Sequence, residues 1–245
     1  MEAATTRYFG SVYEILKDVE KTQLKAILKA SEIISESIAK GGVLRLFGTG
    51  HSHMVAEEPV FRAGGLAAAS DIYDCDLAGN LGMLKSMDLE RLPGFGKIVL
   101  DHSRLSENDV LIVVSVSGRN AVPVDVAMEA RKRGFPVIAI TSMDYSKKIP
   151  SRHPSGKHLC DVADVVIDNR VPMGDAVLEI KGSPQKVAAT STVVGAAIMN
   201  AIVAQVTENL SLKGIEPPVF LSGNIDGADE YNKKLIEKYK NKIIL

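Results

Sequence analysis

The segment Val110–Asn120, VLIVVSVSGRN, constrains this chain more than any other. Its apolar run of Val, Leu and Ile has the make-up of a strand buried on both faces, and it enters a Ser-Val-Ser-Gly turn. Such strands belong to parallel sheets covered by helices on each side, which sets the turn at a strand's carboxyl end. Ser115, Ser117 and Asn120 offer short polar donors, and Gly118 admits close backbone approach. A helix predicted to begin near Val122 aims unpaired N–H groups at the same point. Donors and helix dipole together favour an anion such as phosphate there.

A second turn of this kind follows Val43–Phe47, VLRLF, which runs into Gly48-Thr49-Gly50-His51-Ser52-His53 and then the helical pattern MVAEEPVFRAGG, with a helix expected over about Val55–Ala63. A third strand, Val137–Ile140, ends at Thr141-Ser142. In open parallel sheets ligands bind beyond the carboxyl ends of the strands, where strand order reverses. One rim is therefore predicted from Gly48, Thr49, Gly50 and Ser52, from Ser115, Ser117, Gly118, Arg119 and Asn120, and from Thr141 and Ser142. A dinucleotide fingerprint starting at Gly48 would need glycine where His53 stands, and it would leave Ser115 to Asn120 unexplained.

Elsewhere the periodicity predicts two helices between about Tyr8 and Lys40, ended by Gly41-Gly42. A second strand is expected over Leu66–Tyr73, a helix over Val124–Arg133, a strand over Val165–Ile167, and helices over about Gln185–Asn209 and Gly227–Lys240. Asp74 to Asn108 shows no strong period and reads either as a lid bordering the site or as a surface insertion with a short helix. The alternation of strand and helix predicts an α/β fold, a doubly wound parallel sheet flanked by helices. It divides into an N-terminal helical segment (1–40), a sheet domain (41–210) and a C-terminal helical extension (211–245).

A length of 245 residues suits one large α/β domain with helical additions. The formal net charge is -1 and the lysines and arginines are scattered, so nucleic acid is not an expected partner. Cys75 and Cys160 stand in unrelated contexts, which suggests free thiols and a cytoplasmic setting. No uninterrupted apolar run approaches the roughly 20 residues of a membrane span, and MEAATTRYFG lacks a basic-then-apolar leader pattern, so a soluble protein without membrane partners is expected. The most apolar stretch, Ala188 to Val206, is interrupted by Thr190, Ser191, Thr192, Asn200 and Gln205 and reads as a core or interface helix. With the N-terminal helices it predicts a homodimer or homotetramer.

The loops GTGHS and SVSGRN, joined by strand-helix units after a helical N-terminus and followed in order by Thr141-Ser142, resemble the sugar isomerase (SIS) domain family over about residues 30 to 210. The resemblance implies a SIS three-layer, flavodoxin-like sandwich. It implies a phosphorylated sugar held by the serine hydroxyls and adjoining backbone, and sites near subunit boundaries. No cofactor is expected. ENDVLIVVSVSGRN with Arg119 is similar to N-acetylmuramic acid 6-phosphate etherases, and HSHMVAEE is similar to phosphoheptose isomerases, where a helical Ala-Glu-Glu supplies the base. The chain most resembles a group of SIS-domain proteins of unassigned function described as phosphosugar isomerases. The spacing from Gly50 to Glu57-Glu58 is shorter than in either enzyme group, and the C-terminal segment carries no clear copy of either catalytic signature. The resemblance thus implies sugar-phosphate binding and leaves the reaction open between isomerase, lyase or etherase, and a non-catalytic sensor of the kind found in transcription regulators. The short N-terminal region of mixed charge shows no basic recognition helix.

Aldose–ketose isomerisation needs a base beside the carbonyl and a donor that opens the ring. Glu58, two turns into the helix after the first loop, is the candidate base. Its neighbour Glu57 faces another direction, and either glutamate can instead pair with Arg62. His51 is the candidate ring-opening acid. His51 and His53 form a His-x-His pair, but a third ligand would have to come from elsewhere, and no metal is expected. Arg119 offers a planar fork for phosphate or carboxylate, or else a surface or interface contact. Glu179, Lys181, Ser183 and Lys186 are expected between the last strand and the long helix. Lys186 is expected at that helix's start, where the dipole does not favour a cation, which makes it an anion-binding candidate or a solvated lysine.

Overall fold

The structure, a computed structural model, describes residues 2–243. The two apolar runs that precede the glycine loops become β1 (Leu44–Gly48) and β3 (Val110–Val114), buried along their whole length. They pair in parallel with Gly48 opposite Val114. β2 (Ala69–Asp71) lies outside β1, while β4 (Val137–Thr141) and β5 (Val165–Asp168) continue beyond β3, giving the parallel order β2-β1-β3-β4-β5. Strand order reverses between β1 and β3, so the crevice beyond their carboxyl ends is the switch point of the sheet.

The helices are α1 (Ala4–Ala39), α2 (Ser52–Glu57), α3 (Cys75–Ala78), α4 (Met83–Glu90), α5 (Phe95–Asp101), α6 (Ala121–Lys132), α7 (Met143–Lys148), α8 (Ser191–Leu212) and α9 (Ala228–Tyr239). Side chains of a strand alternate between faces, and the core divides accordingly. Leu46, Ile112 and Ile140 pack with Ile34 of α1 and with Ile198 and Ile202 of α8. Leu111, Val113 and Ala139 pack with Leu100 of α5 and with Val126 and Ala130 of α6. The sheet is thus the middle of three layers.

One buried ion pair fixes the sheet behind the loops. Asp109 accepts from Arg45 Nε at 2.8 Å, from Val43 N at 2.8 Å and from Ser106 N at 2.9 Å, while Arg45 Nη2 donates to Lys242 O at 2.6 Å. The pair's side chains are 3% and 0% exposed. Removing one partner of such a pair leaves an uncompensated buried charge and costs about 3–5 kcal/mol.

Several elements differ from their sequence expectations. The two predicted N-terminal helices are one helix of 36 residues. After Gly10 nothing up to Lys40 breaks a helix, and Val12, Val19, Ile27, Ile34 and Ile38 stay on its buried side until Gly41, at φ 83°, ends it. The helix expected over Val55–Ala63 starts earlier, inside the loop, and stops at Glu57, because Pro59 has no N–H to extend it. The strand expected over Leu66–Tyr73 is confined to Ala69–Asp71, and Leu66 instead bridges Val219. Asp74 to Asn108 folds into α3, α4 and α5, each too short to establish a helical period. Its one short apolar run, Ile98 to Leu100, lies within α5.

The helix expected to begin at Gln185 begins at Ser191, after an antiparallel hairpin of β6 (Ala176–Leu178) and β7 (Val187–Ala189). Asp175, at the other end of that hairpin, sets the start of α8 by accepting from Thr190 N and Ser191 N, each at 2.8 Å. By length and composition alone α8 is apolar enough to cross a membrane. Here it packs against α1 and α2, with Gly195 admitting the Val55 side chain closely.

Candidate functional site

Because Gly48 stands opposite Val114, the loops Thr49–Ser52 and Ser115–Asn120 leave the sheet side by side. Neighbouring strands lie about 4.8 Å apart, so both loops border one crevice. The second loop is shaped by Gly118, whose φ of 59° is left-handed. Its amide donates to Ser115 Oγ at 3.2 Å and its carbonyl accepts from Leu159 N at 2.8 Å. A Cβ at this position would lie 2.7 Å from Thr141 Oγ1. The turn leaves a run of donors free: among the described residues, the amides of Ser117, Arg119 and Asn120 donate to no protein group, and neither does the Ser117 hydroxyl. The first-turn N–H groups of α6 add to them. Asn120 stands at the N-cap of α6 without capping it, because its Oδ1 accepts from Arg152 Nη1 at 3.0 Å. Free amides on both sides of a left-handed residue at a helix start make the kind of concavity, a nest, that suits an anion.

The first loop is tighter. A Cβ on Gly48 would meet the Ser52 backbone at 2.5 Å, so α2 folds back directly over the end of β1. Gly50 N donates to Leu77 O at 2.9 Å, and Thr49 Oγ1 donates to Glu90 Oε1 at 2.6 Å, tying the loop to α3 and α4. Ser52 Oγ has no partner among the described residues. The two histidines separate: His51 is exposed, whereas His53 is buried, donates from Nδ1 to Gly50 O and stands edge-on to Tyr73 at 5.9 Å. Among the described residues no three His, Cys, Asp or Glu side chains converge as metal ligands would.

Thr141 and Ser142 lie at the end of β4 as expected, but both are fully buried. Thr141 Oγ1 donates to Val116 O at 3.4 Å and Ser142 Oγ to Val171 O at 2.6 Å, so these hydroxyls brace the rim from behind. Glu58 caps the far end of α2, seven residues after His51. Its carboxylate accepts from Arg62 and, at 2.8 Å, from Asn200 Nδ2 of α8. Glu57 is exposed. Lys186 is not at a helix start, in contrast to its expected position. It sits in the β6–β7 connection with Glu179, Lys181 and Ser183 and pairs with Glu179 at 3.3 Å, while the hairpin is held to the start of α1 by Tyr8 Oη donating to Ala189 O at 2.9 Å.

Three groups beside the nest escaped the sequence reading. Arg152 comes from the polar stretch after α7 and is laced to the second loop, its amide donating to Arg119 O at 2.8 Å. Glu90 and Arg91 end α4. Partial desolvation, then the nearby guanidiniums of Arg119 and Arg91, press the Arg152 pKa below the usual arginine value, with Glu90 opposing. No local pattern marks these residues; only the folded chain gathers them. A cavity of about 460 Å³ between α1 and α8 and one of about 600 Å³ beside β2 share none of the loop residues.

Residues 7–142 match the family described as SIS domain. A UPF0309 protein of Geobacillus thermodenitrificans is 46% identical over 237 residues, 97% of this chain and 95% of that protein. Among solved structures, the Vibrio vulnificus NanR protein complexed with ManNAc-6P aligns with a TM-score of 0.54 at 17% identity, covering 97% of this chain and 70% of that one. Phosphoheptose isomerase GmhA from Neisseria gonorrhoeae aligns with a TM-score of 0.52 at 18% identity, covering 85% of this chain and 97% of that one. At such identities the two structural likenesses are likenesses of fold.

Proposed function

This chain belongs to the SIS-domain family, and on that premise we propose that it binds a phosphorylated sugar or amino sugar in the β1–β3 crevice and interconverts its aldose and ketose forms. The observation that carries the reading is the nest formed by the free amides of Ser117, Arg119 and Asn120 at the start of α6. The phosphate sits on this nest and on the Ser117 hydroxyl, with Ser115 and Gly118 holding the turn. Thr49, Gly50 and Ser52 border the other side. Support comes from the NanR structure, whose ligand is a phosphorylated amino sugar, and from the shared fold of a phosphoheptose isomerase.

In this reading Glu58 removes a proton beside the carbonyl and returns it to the neighbouring carbon. Exposed His51 at the loop donates to the ring oxygen as the sugar opens. Six helical steps from Ser52 carry the backbone about 9 Å to Glu58, away from the loop that borders the crevice. The hydrogen bonds from Arg62 and Asn200, both to Glu58 Oε1, favour a second reading, a non-catalytic sugar-phosphate sensor, because they give this carboxylate a structural role in tying α2 to α8. A panel of hexose, heptose and amino sugar phosphates, followed by NMR in heavy water, separates the two. The enzyme exchanges deuterium and forms product, and Glu58→Gln lowers turnover by about 10²–10⁴-fold while binding persists. Binding without exchange by the wild type leaves the sensor. Product analysis in the same spectra separates isomerase from lyase or etherase.

The reading includes a homodimer or homotetramer with sites near the subunit boundary. It is supported by the apolar groove between α1 and α8, lined by Leu16, Leu24, Leu28, Ala197, Ala201 and Ala204. Light scattering at micromolar concentration tests it, and a monomer contradicts it.

A further inference from the structure

The groups around the nest carry an unbalanced charge. Arg119 lies in the second loop, Arg152 is hydrogen-bonded to that loop, and Arg91 follows Glu90, whose carboxylate is engaged by the Thr49 hydroxyl of the first loop. Arg119 and Arg91 act electrostatically on Arg152, and Glu90 opposes them. Arg119 Nε is buried without a hydrogen-bond partner, and neither Arg119 nor Arg91 forms an ion pair among the described residues. Arg152 is held ready instead of being free to swing. Its Nη1 donates to Asn120 Oδ1 at 3.0 Å, its amide to Arg119 O at 2.8 Å, and the neighbouring Ser151 Oγ to Lys157 O at 2.6 Å. His153 Nε2 fastens the same strap to Asp125 of α6 at 2.9 Å. Like charges gathered without counter-ions raise the energy of the ligand-free protein, and an anion in their midst removes that cost.

We propose that Arg119, Arg152 and Arg91 form a clamp that takes the ligand's phosphate as a monoester dianion and discriminates against singly charged esters. Three guanidiniums against one carboxylate leave two positive charges uncompensated, which matches a dianion. The Ser117 hydroxyl and the nest supply the hydrogen bonds that orient it. Arginine forks suit the task because their parallel N–H groups engage two phosphate oxygens at once. The clamp rests on the sugar-phosphate reading of the crevice and adds to it the ionisation state that is bound.

Methyl phosphate and methyl sulfate are the probes, titrated by NMR into the full chain. At pH 8 methyl phosphate is a dianion and should bind on the order of tenfold tighter than the singly charged methyl sulfate, and this preference should collapse at pH 5, below its second pKa of about 6. Arg152→Gln, which can still donate to Asn120, and Arg91→Ala should each weaken methyl phosphate on the order of tenfold and methyl sulfate only about threefold, since the Coulomb attraction scales with the ligand's charge. Equal binding of the two esters at pH 8, or wild-type affinity in both arginine variants, overturns the clamp. Ser117→Ala distinguishes the failures. If it weakens methyl phosphate where the arginine variants do not, the nest stands and the clamp falls. If the wild type binds no methyl phosphate at all, the nest falls with it.

Discussion

The carboxyl ends of β3 and β4 look alike in sequence, each an apolar run entering hydroxylated residues, yet they behave in opposite ways. The end of β4 is sealed: Thr141 and Ser142 are fully buried, their hydroxyls donate to Val116 O and Val171 O, and Ser142 N donates to Val116 O at 2.9 Å. The end of β3 is open, with the Ser117 hydroxyl and three loop amides donating to nothing among the described residues. Gly118 marks the difference, because its φ is left-handed and its missing side chain lets Thr141 press against the turn from behind. Hydroxyls at a strand end do not by themselves make a ligand site. The β4 end, with its donors spent, is the buttress of the β3 end, where donors remain.

Gly118→Ala attacks both ends at once and should have the largest effect. An alanine in the left-handed region costs about 1–2 kcal/mol, and a methyl 2.7 Å from Thr141 Oγ1 adds overpacking of about 1–3 kcal/mol. Thermal unfolding should shift down by about 2–4 °C for each kcal/mol, and methyl phosphate binding should disappear. A variant with wild-type midpoint and affinity would break the contrast outright. Ser142→Ala touches only the sealed end. It strips the buried Val171 carbonyl of its donor, a loss of about 1–3 kcal/mol, and should leave methyl phosphate affinity as it was. Ser117→Ala is the reciprocal case, with stability within about 0.5 kcal/mol of the wild type and affinity lower on the order of tenfold. Interchanged outcomes for these two serines would mean that the open and sealed ends had been assigned the wrong way round.

What the sequence discloses follows the same division. The cores of β1, β3 and β4, the two glycine loops and the start of α6 are legible because each is encoded within a dozen residues, by an apolar run or by a glycine with no alternative. The direction of a hydroxyl is not encoded locally: nothing in Thr141-Ser142 announces that Val116 and Val171 await behind them. Contacts between remote segments are equally silent, such as Asp175 starting α8 from the far side of a hairpin, or Arg152 reaching Asn120 across 32 positions. That hairpin also removes Lys186 from the helix start at which it is expected. The continuity of α1 was present in the phase of its buried residues and in the lack of any breaker after Gly10, although two shorter helices fit the spacing equally well.

The end of β2 supplies the mildest and most specific variation on the contrast, since it offers a carboxylate where β3 offers donors. Burial pushes the Asp71 pKa above the ordinary aspartate value of about 3.9, with a backbone hydrogen bond and then His53 pulling the other way. A carboxyl whose folded pKa is raised binds its proton more tightly in the folded state. Its stabilising contribution is therefore present below the unfolded value and is lost as pH rises through the folded one. At neutral pH the ionised group is a small liability, so Asp71→Asn should unfold at a slightly higher temperature than the wild type at pH 7. That advantage should shrink as pH falls and vanish below the ordinary aspartate range. An unchanged gap between pH 7 and pH 3 would show that burial does not govern this carboxyl.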